Sequence, residues 1–250
     1  MRIQTALLLT LIFLSPFYAW AGNALTVNVI QSMPFGYVDA ADQPTGTHWD
    51  YVQAISDRSG IKMVTTLTPR ARLIQNLSDG SCDAAILFHA DGREDLVAYA
   101  APIRSIRMVA INRKGLPLRH YDDLYASQSI GLLQGTQIAT HFDTDLRLKK
   151  EPKTSYEQMV RMLKKRRLDT IVGNAIALAH AIDLWDAAGD VEPQSLTLCT
   201  KEQWFQFSRK SPHLDKIDSI HEAMTALKAE GVFDAILTRY VGQGWQEINR

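Results

Sequence analysis

Strand-like and helix-like segments alternate along this chain, and the alternation starts again near its middle. Strands are predicted where β-branched or apolar residues form short runs, and helices where apolar residues recur three or four apart. The first unit has strands at 25–30, 83–88 and 107–112 and helices at 47–58 and 70–79. The second unit has strands at 129–133, 169–173, 195–198 and 204–209 and helices at 154–167 and 174–187. Two α/β units in series are therefore predicted.

Short motifs mark where several helices begin. Gly135-Thr136 follows a strand and is predicted to open a helix. Thr154 and Glu157 have the spacing of a capping box. Ser211-Pro212 suits the start of a long C-terminal helix, because serine caps helices and proline fits their first turn.

The composition excludes several classes of protein. The chain has 250 residues, 46% of them hydrophobic, and its 27 basic residues balance 27 acidic ones. This balance argues against a nucleic-acid binder and against a disordered chain. Cys82 and Cys199 form no Cys-x-x-Cys pair, so they suggest neither a zinc site nor a redox dithiol. The 7 histidines show no metal-binding spacing and the chain has no Gly-rich phosphate loop, so neither a metal nor a cofactor is expected.

Residues 1–21 have the pattern of a signal peptide. Arg2 precedes an apolar run at residues 6–14, and Ala19-Trp20-Ala21 is a small-x-small cleavage site. The mature chain is therefore predicted to begin at Gly22. No later run approaches the about 18 apolar residues that a membrane-spanning helix needs. The sequence thus predicts an exported, periplasmic protein.

An ordered set of motifs gives the chain a family resemblance. The motifs are Pro34-Phe35, residues 46–50, Leu77-x-x-Gly80-x-x-Asp83, Arg93 followed by Ala101-Pro102, Leu133-Gln134-Gly135-Thr136, Arg167-Leu168-Asp169, and Ala226 to Phe233. In this order and spacing, the chain resembles the family 3 periplasmic solute-binding proteins, which are polar amino-acid receptors of ABC importers. The resemblance covers residues 25–241.

The resemblance implies an α/β fold of the periplasmic binding protein-like II type. This fold is a two-lobed clamshell in which each lobe is a mixed sheet flanked by helices, and two crossing strands join the lobes. Lobe 1 would comprise residues 22–107 and 201–250, and lobe 2 residues 108–200. The ligand would lie between the lobes, beyond the carboxyl ends of the strands. The implied strand order also places Cys82 and Cys199 more than about 7 Å apart, beyond the reach of a disulfide, so both are expected to be unpaired.

The resemblance also implies a binding role for several side chains. Arg93 matches the arginine that grips the ligand's carboxylate, to which a guanidinium donates two parallel hydrogen bonds. The alternative is a surface ion pair with Asp91 or Glu94. Thr136 would offer its hydroxyl and the backbone N–H groups of a helix start, beside Gln137, although an ordinary helix cap is the alternative.

Asn174 departs from the family pattern. Relatives commonly carry an aspartate at this position, which accepts hydrogen bonds from the ligand's α-ammonium. An asparagine offers a carbonyl oxygen without the negative charge, so the substrate class is open, and helix capping is the alternative role. Phe35 and Phe88 are candidate apolar walls, with His89 next to Phe88. Arg70 is either a second anion contact or a solvated residue at a helix start.

These residues favour a non-enzymatic, monomeric receptor for a small polar solute that carries a carboxylate, such as an amino acid. The ligand would close the lobes, and the closed form would dock to an inner-membrane ABC permease. Two alternatives stay open. One is an enzyme of the cyclohexadienyl dehydratase type with His89 or Asp50 as acid or base. The other is a sensor for a membrane signalling protein.

Overall fold

The structure of the protein is a computed structural model that describes residues 24–242. The predicted signal peptide, residues 1–21, lies outside the described residues, as does the C-terminal segment 243–250. Within the described part of the chain, every helix is too short or too polar to cross a membrane.

Residues 24–242 form ten strands and seven α-helices. The strands are β1 (Leu25–Ile30), β2 (Tyr37–Val38), β3 (Pro44–Thr45), β4 (Met63–Thr68), β5 (Ala84–Phe88), β6 (Val97–Asn112), β7 (Ile130–Leu133), β8 (Lys150–Lys153), β9 (Thr170–Asn174) and β10 (Leu196–Ser208). The helices are α1 (Thr47–Ser59), α2 (Arg70–Asp79), α3 (Thr140–Thr144), α4 (Tyr156–Lys164), α5 (Ala175–Leu184), α6 (Ile217–Ala229) and α7 (Val232–Val241).

One sheet of eight strands runs through the molecule in the order β4-β1-β5-β10-β6-β9-β7-β8. The parallel strands β4, β1 and β5 form its first half, and the parallel strands β9, β7 and β8 form its second half. Between them, the long strands β6 and β10 pair with each other in antiparallel fashion. The two halves are therefore joined only through this central pair of strands within the sheet.

The two long strands take different partners at their two ends. In β10, residues 203–207 pair with β5 of the first half. In β6, residues 108–112 pair with β9 of the second half. Each long strand thus begins in one half and ends in the other, which confirms the predicted two-lobed α/β fold with crossing strands. The boundaries at 107/108 and 200/201 stay a prediction.

Each half buries a core of its own. In the first half, Val27, Ile55 and Phe205 are fully buried, and side chains of α6 and α7 pack against them. In the second half, Met159 and Ile171 lie in a separate buried cluster. Burying one such side chain contributes roughly 1.5–3 kcal/mol, so each half has a substantial apolar core.

Asp83 ties the first half together at the base of its sheet. Its Oδ2 accepts hydrogen bonds from the Thr26 backbone N–H (2.8 Å) and hydroxyl (2.6 Å). Its Oδ1 accepts a hydrogen bond of 2.6 Å from the Ser211 hydroxyl. Burial opposes ionisation of this carboxyl, but the hydrogen bonds from Ser211 and Thr26 outweigh it and lower its pKa.

Several predicted elements need correction. The strands predicted at 195–198 and 204–209 are parts of one strand, β10. Ser211 bonds to Asp83, and the long helix begins only at Ile217, after a short 3₁₀ turn. The second strand of the first unit, β4, had not been located in the sequence. The prediction of two free cysteines is confirmed for Cys82 and Cys199.

The start of α4 differs from the predicted capping box by one residue. Ser155, not Thr154, is the N-cap, and its side chain accepts a hydrogen bond from the Gln158 backbone N–H (3.1 Å). The Gln158 side chain accepts hydrogen bonds from the N–H and hydroxyl of Thr154, both at 2.9 Å. The helix ends at Lys164 rather than at residue 167.

Candidate ligand-binding site

A cavity of about 80 Å³ lies between the two halves of the sheet. This volume exceeds the roughly 10–15 Å³ that one water needs, so a small solute fits. All eight residues predicted from the sequence as site residues line it: Arg93, Thr136, Asn174, Phe35, Phe88, His89, Gln137 and Arg70. The cavity therefore brings together side chains from both halves, and their role in binding stays a prediction.

Arg93 lies in the segment between β5 and β6. Within residues 24–242, its guanidinium makes neither a hydrogen bond nor an ion pair, so the alternative pairing with Asp91 or Glu94 is wrong. Asp91 is instead 3.8 Å from Nδ1 of His89. The half-buried Arg93 cation is therefore available to an anion in the cavity.

Arg70 connects the two halves directly. It is the first residue of α2 in the first half, and its Nη1 donates a hydrogen bond of 2.6 Å to the backbone oxygen of Gly135 in the second half. Burial lowers the pKa of Arg70, and the nearby charge of Arg93 lowers it further. The prediction of a solvated arginine at a helix start is thus wrong. This hydrogen bond holds the two halves in contact beside the cavity.

Thr136 does not open a helix, contrary to the sequence prediction. Gln134 and Gly135 form a turn, and the Thr136 backbone N–H donates to the Leu133 oxygen (3.1 Å). The following helix, α3, starts only at Thr140. The turn at Gly135 is tight, with a φ of 69°. The cavity therefore has no helix dipole at this position, and Thr136 can contribute its hydroxyl.

Asn174 is the last residue of β9 and the N-cap of α5. Its Oδ1 accepts hydrogen bonds from the backbone N–H groups of Ile176 (2.9 Å) and Ala177 (3.2 Å). Its own backbone N–H donates to the Tyr156 hydroxyl oxygen (3.2 Å). The ring of Tyr156 lies so close to the strand that a Cβ atom at Gly173 would be 2.4 Å from it. The asparagine carbonyl oxygen is therefore occupied by the helix cap.

His48 is a cavity residue that the sequence analysis missed. It is 3% exposed, its ring centroid lies 4.7 Å from that of Phe35, and its Nε2 is 3.2 Å from Nε2 of Gln203. Burial, with a smaller effect of the Arg104 charge, lowers its pKa to about 3, so the ring is neutral. Its Nδ1 has no hydrogen-bond partner among residues 24–242.

A sequence signal for His48 exists. Tyr51, Val52 and Ile55 are the buried residues that follow His48 on one face of α1, at spacings of three, four and seven. The neighbouring Trp49, although it is the larger aromatic residue, is only half-buried. The start of α1 is fixed by Gly46, whose φ of 125° and close approach to the Phe35 oxygen leave no room for a side chain.

His89 lines the cavity and belongs to a cluster of aromatic side chains. The His89 ring stacks on Tyr99 at 4.4 Å, and Trp204 packs edge-on against Tyr99 at 5.6 Å. Lys201 of β10 also lines the cavity, and its Nζ donates to the Gln137 backbone oxygen (2.9 Å). Lys201, like Ser32, Tyr156 and Gln203, was not predicted as a site residue.

Asp50, the other acid or base candidate besides His89, lies outside the cavity. Its Oδ2 accepts hydrogen bonds from the Tyr240 hydroxyl (2.9 Å) and from Arg239 (3.1 Å). Asp50 therefore joins α1 to α7 and has a structural role. Among the described residues, no group of three or more His, Cys, Asp or Glu side chains is placed to hold a metal ion.

Comparisons with solved structures show the same fold in other proteins. The arginine-binding protein ArgBP from T. maritima (P235GK mutant) is 19% identical, with 87% of this chain and 95% of that chain covered and a TM-score of 0.72. The GluR0 ligand-binding core from Nostoc punctiforme in complex with (L)-glutamate is 19% identical, with 87% and 99% coverage and a TM-score of 0.73.

A sensor protein is similar as well. A histidine kinase sensor domain with similarity to periplasmic binding proteins is 15% identical, with 88% of this chain and 96% of that chain covered and a TM-score of 0.73. A search of curated proteins gives no match. The family model described as bacterial extracellular solute-binding proteins, family 3, matches residues 25–243. The chain therefore belongs to the bacterial extracellular solute-binding proteins of family 3.

Proposed function

We propose that the protein is a periplasmic receptor that captures a small polar solute carrying a carboxylate. In this proposal, residues 1–21 direct export, and the mature chain acts as a monomer without enzymatic activity. The solute closes the two halves, and the closed form presents it to an ABC permease in the inner membrane.

The Arg93 guanidinium is the observation that carries this proposal. It lines the cavity and has no ion-pair or hydrogen-bond partner among residues 24–242. A cation that loses water without gaining a partner is costly, and a carboxylate matches the guanidinium with two parallel hydrogen bonds. Two of the similar structures support this reading, because arginine and glutamate, the ligands in their names, both carry a carboxylate.

Closure follows from the lining of the cavity. Arg93 and Phe35 come from the first half, and Thr136 and Asn174 come from the second half. A solute that contacts both sets binds the closed form better and shifts the population towards it. The closed form then exposes a different surface from the open form, and a membrane partner can distinguish the two forms by this surface.

A sensor partner is the second candidate, and the similarity to a histidine kinase sensor domain supports it. The permease and the sensor would read the same closed form. The dehydratase alternative loses one of its two candidate groups, because Asp50 is bonded to Tyr240 and Arg239 outside the cavity.

Thermal unfolding of the purified exported protein tests the proposal. A panel of small carboxylates is compared with the matching carboxamides, which keep the shape but lack the charge. At a hundred times its dissociation constant, a binding carboxylate adds about 2.7 kcal/mol, which raises the melting temperature by about 5–10 °C. Equal behaviour of carboxylates and carboxamides would contradict the proposed function.

A further inference from the structure

The charged side chains that line the cavity are all basic. They are Arg70, Arg93 and Lys201, and no Asp or Glu of the described chain lines the cavity with them. His48 is neutral because its pKa is lowered to about 3, chiefly by burial. Burial also raises the pKa of Tyr156 to about 12, so its hydroxyl stays protonated. The cavity is therefore strongly positive at neutral pH.

Asn174 presents a donor to this positive cavity. Its Oδ1 already accepts the N–H groups of Ile176 and Ala177. A carbonyl oxygen has two lone pairs, and both are used here. Asn174 lines the cavity and its Nδ2 makes no hydrogen bond within residues 24–242, so the side-chain group that it can offer a solute is an N–H donor. Asn174 therefore offers the solute a hydrogen-bond donor, at the position where relatives commonly carry an acceptor for an ammonium group.

Other polar groups of the cavity also favour an acceptor-rich solute. The Tyr156 oxygen accepts the Asn174 N–H, which leaves its hydroxyl proton free to donate. The acceptors that remain include neutral hydroxyl, amide carbonyl and imidazole groups, as in Ser32, Thr136, Gln137, Gln203 and His48. An ammonium has three N–H donors and no acceptor, and it would also face the repulsion of the lining cations.

We propose that the solute is a small organic acid without an ammonium group, that is, a mono- or dicarboxylate with an apolar body. Arg93 holds its carboxylate, and Phe35 and Phe88 enclose its hydrocarbon part. Asn174 and Tyr156 donate hydrogen bonds to its oxygen atoms. The inference rests on the proposed function and narrows its substrate class, because it excludes amino acids as the preferred solutes.

Calorimetry with matched pairs of solutes tests this inference. Each pair consists of an amino acid and the acid that lacks its amine: L-glutamate with glutarate, and L-leucine with 4-methylpentanoate. The exported protein is unfolded, dialysed and refolded first, so that any co-purified solute is removed. We expect at least one acid to bind tenfold or more tightly than its amino-acid partner.

Asn174→Asp is the matched variant. An aspartate keeps the helix cap, because a carboxylate oxygen accepts the same two N–H groups, but it adds the negative charge that an ammonium needs. The preference for the amine-free acid should fall at least tenfold. Gln137→Glu provides a second, independent carboxylate in case the first variant fails to fold. The Gln137 side chain is dispensable for the Lys201 bond, which uses the backbone oxygen.

The outcomes separate the two proposals. Tighter binding of the amino acid in every pair would overturn the inference and leave the proposed receptor function standing. If neither member of any pair bound and no carboxylate raised the melting temperature, the proposed function itself would be wrong. An unchanged acid preference in both carboxylate variants would also overturn the inference.

Discussion

Arg93 is fixed in place by its backbone, while its side chain is free. Its N–H donates to the Ala90 oxygen (3.3 Å), and its carbonyl accepts from the N–H groups of Leu96 (2.9 Å) and Val97 (3.0 Å). Because the side chain makes no such bond within residues 24–242, its removal should not disturb the fold. The contribution of Arg93 should therefore lie in binding alone.

Arg93→Ala should abolish tight binding without changing stability in the absence of solute. Losing one partner of a charged, hydrogen-bonded pair costs at least about 2 kcal/mol, which corresponds to a loss of affinity of about 30-fold or more. Calorimetry measures the affinity, and denaturant unfolding measures the stability. Arg72→Ala, in the exposed Arg72 of α2, is the control and should change neither. An unchanged affinity in Arg93→Ala would remove it from the site.

His48 should make the protein less stable in mild acid. The folded state keeps His48 neutral down to a pH of about 3, whereas the unfolded state takes up a proton near pH 6.5. The unfolded state therefore binds more protons below pH 6.5, and stability falls as the pH falls, by at most about 1.4 kcal/mol per pH unit for this residue.

His48→Gln should make this loss of stability shallower between pH 6.5 and 5. Some slope should remain, because burial also lowers the pKa of His180. Urea unfolding at several pH values measures the slope, and at pH 8 the titration effect should be absent from both proteins. A slope identical to that of the original protein would show that His48 is not buried in its neutral form.

At the scale of elements, the bounds of a helix or strand are predicted best where one pattern of buried residues continues along the whole element. α1, α2 and β5 were located to within a residue or two, because their buried residues follow helical spacing or form an unbroken apolar run. Residues 200–202 interrupt β10 with polar side chains. There the strand crosses between the halves, and pairing with β6, which is remote in sequence, maintains it.

The sequence identified individual residues that line the candidate site. It did not predict the backbone structure that surrounds them. The loop at Gly135 and the cap at Asn174 depend on contacts with Arg70 and Tyr156, which are distant in the chain. Helix propensity depends only on residues that are close in the sequence. It therefore favoured a helix after Gly135, because it takes no account of these distant contacts. The neutral state of His48 likewise depends on its burial and, to a smaller extent, on the charge of Arg104, neither of which is visible in the sequence.

Asp83→Asn should destabilise the protein by about 1.5–3 kcal/mol, the usual range for hydrogen bonds to a charged group. The asparagine has one oxygen, so it can accept from Thr26 or from Ser211 but not from both as before. Denaturant unfolding measures the loss. Affinity for the solute should stay the same, because Asp83 does not line the cavity.

The pH dependence of this variant gives a further check. The lowered pKa of Asp83 stabilises the folded state above pH 4, and this stabilisation is lost as the pH falls through the folded-state pKa. The difference between the two proteins should therefore shrink in strong acid. Asp95→Asn, in an exposed residue, is the control and should cost little. Equal stabilities of Asp83→Asn and the original protein would contradict the role of Asp83.

For the whole molecule, the Arg70 bond to Gly135 favours the closed arrangement. Arg70→Ala should shift the population without solute towards open forms, because it removes a bond between the halves while the pairing of β6 with β10 remains. Small-angle scattering should show a larger radius of gyration than for the Arg72→Ala control. The same radius in both variants would show that this bond does not affect closure.

A larger groove of about 940 Å³ adjoins the cavity and shares Ile30, Ser32, Arg70 and Leu133 with it. Arg70 thus borders both the enclosed space and the route to bulk solvent. If the bond between Arg70 and Gly135 has to break before the cavity opens, a bound solute cannot leave by breaking its own contacts alone. The dissociation rates of chemically different solutes should therefore have the same upper limit, which is the rate at which the protein opens.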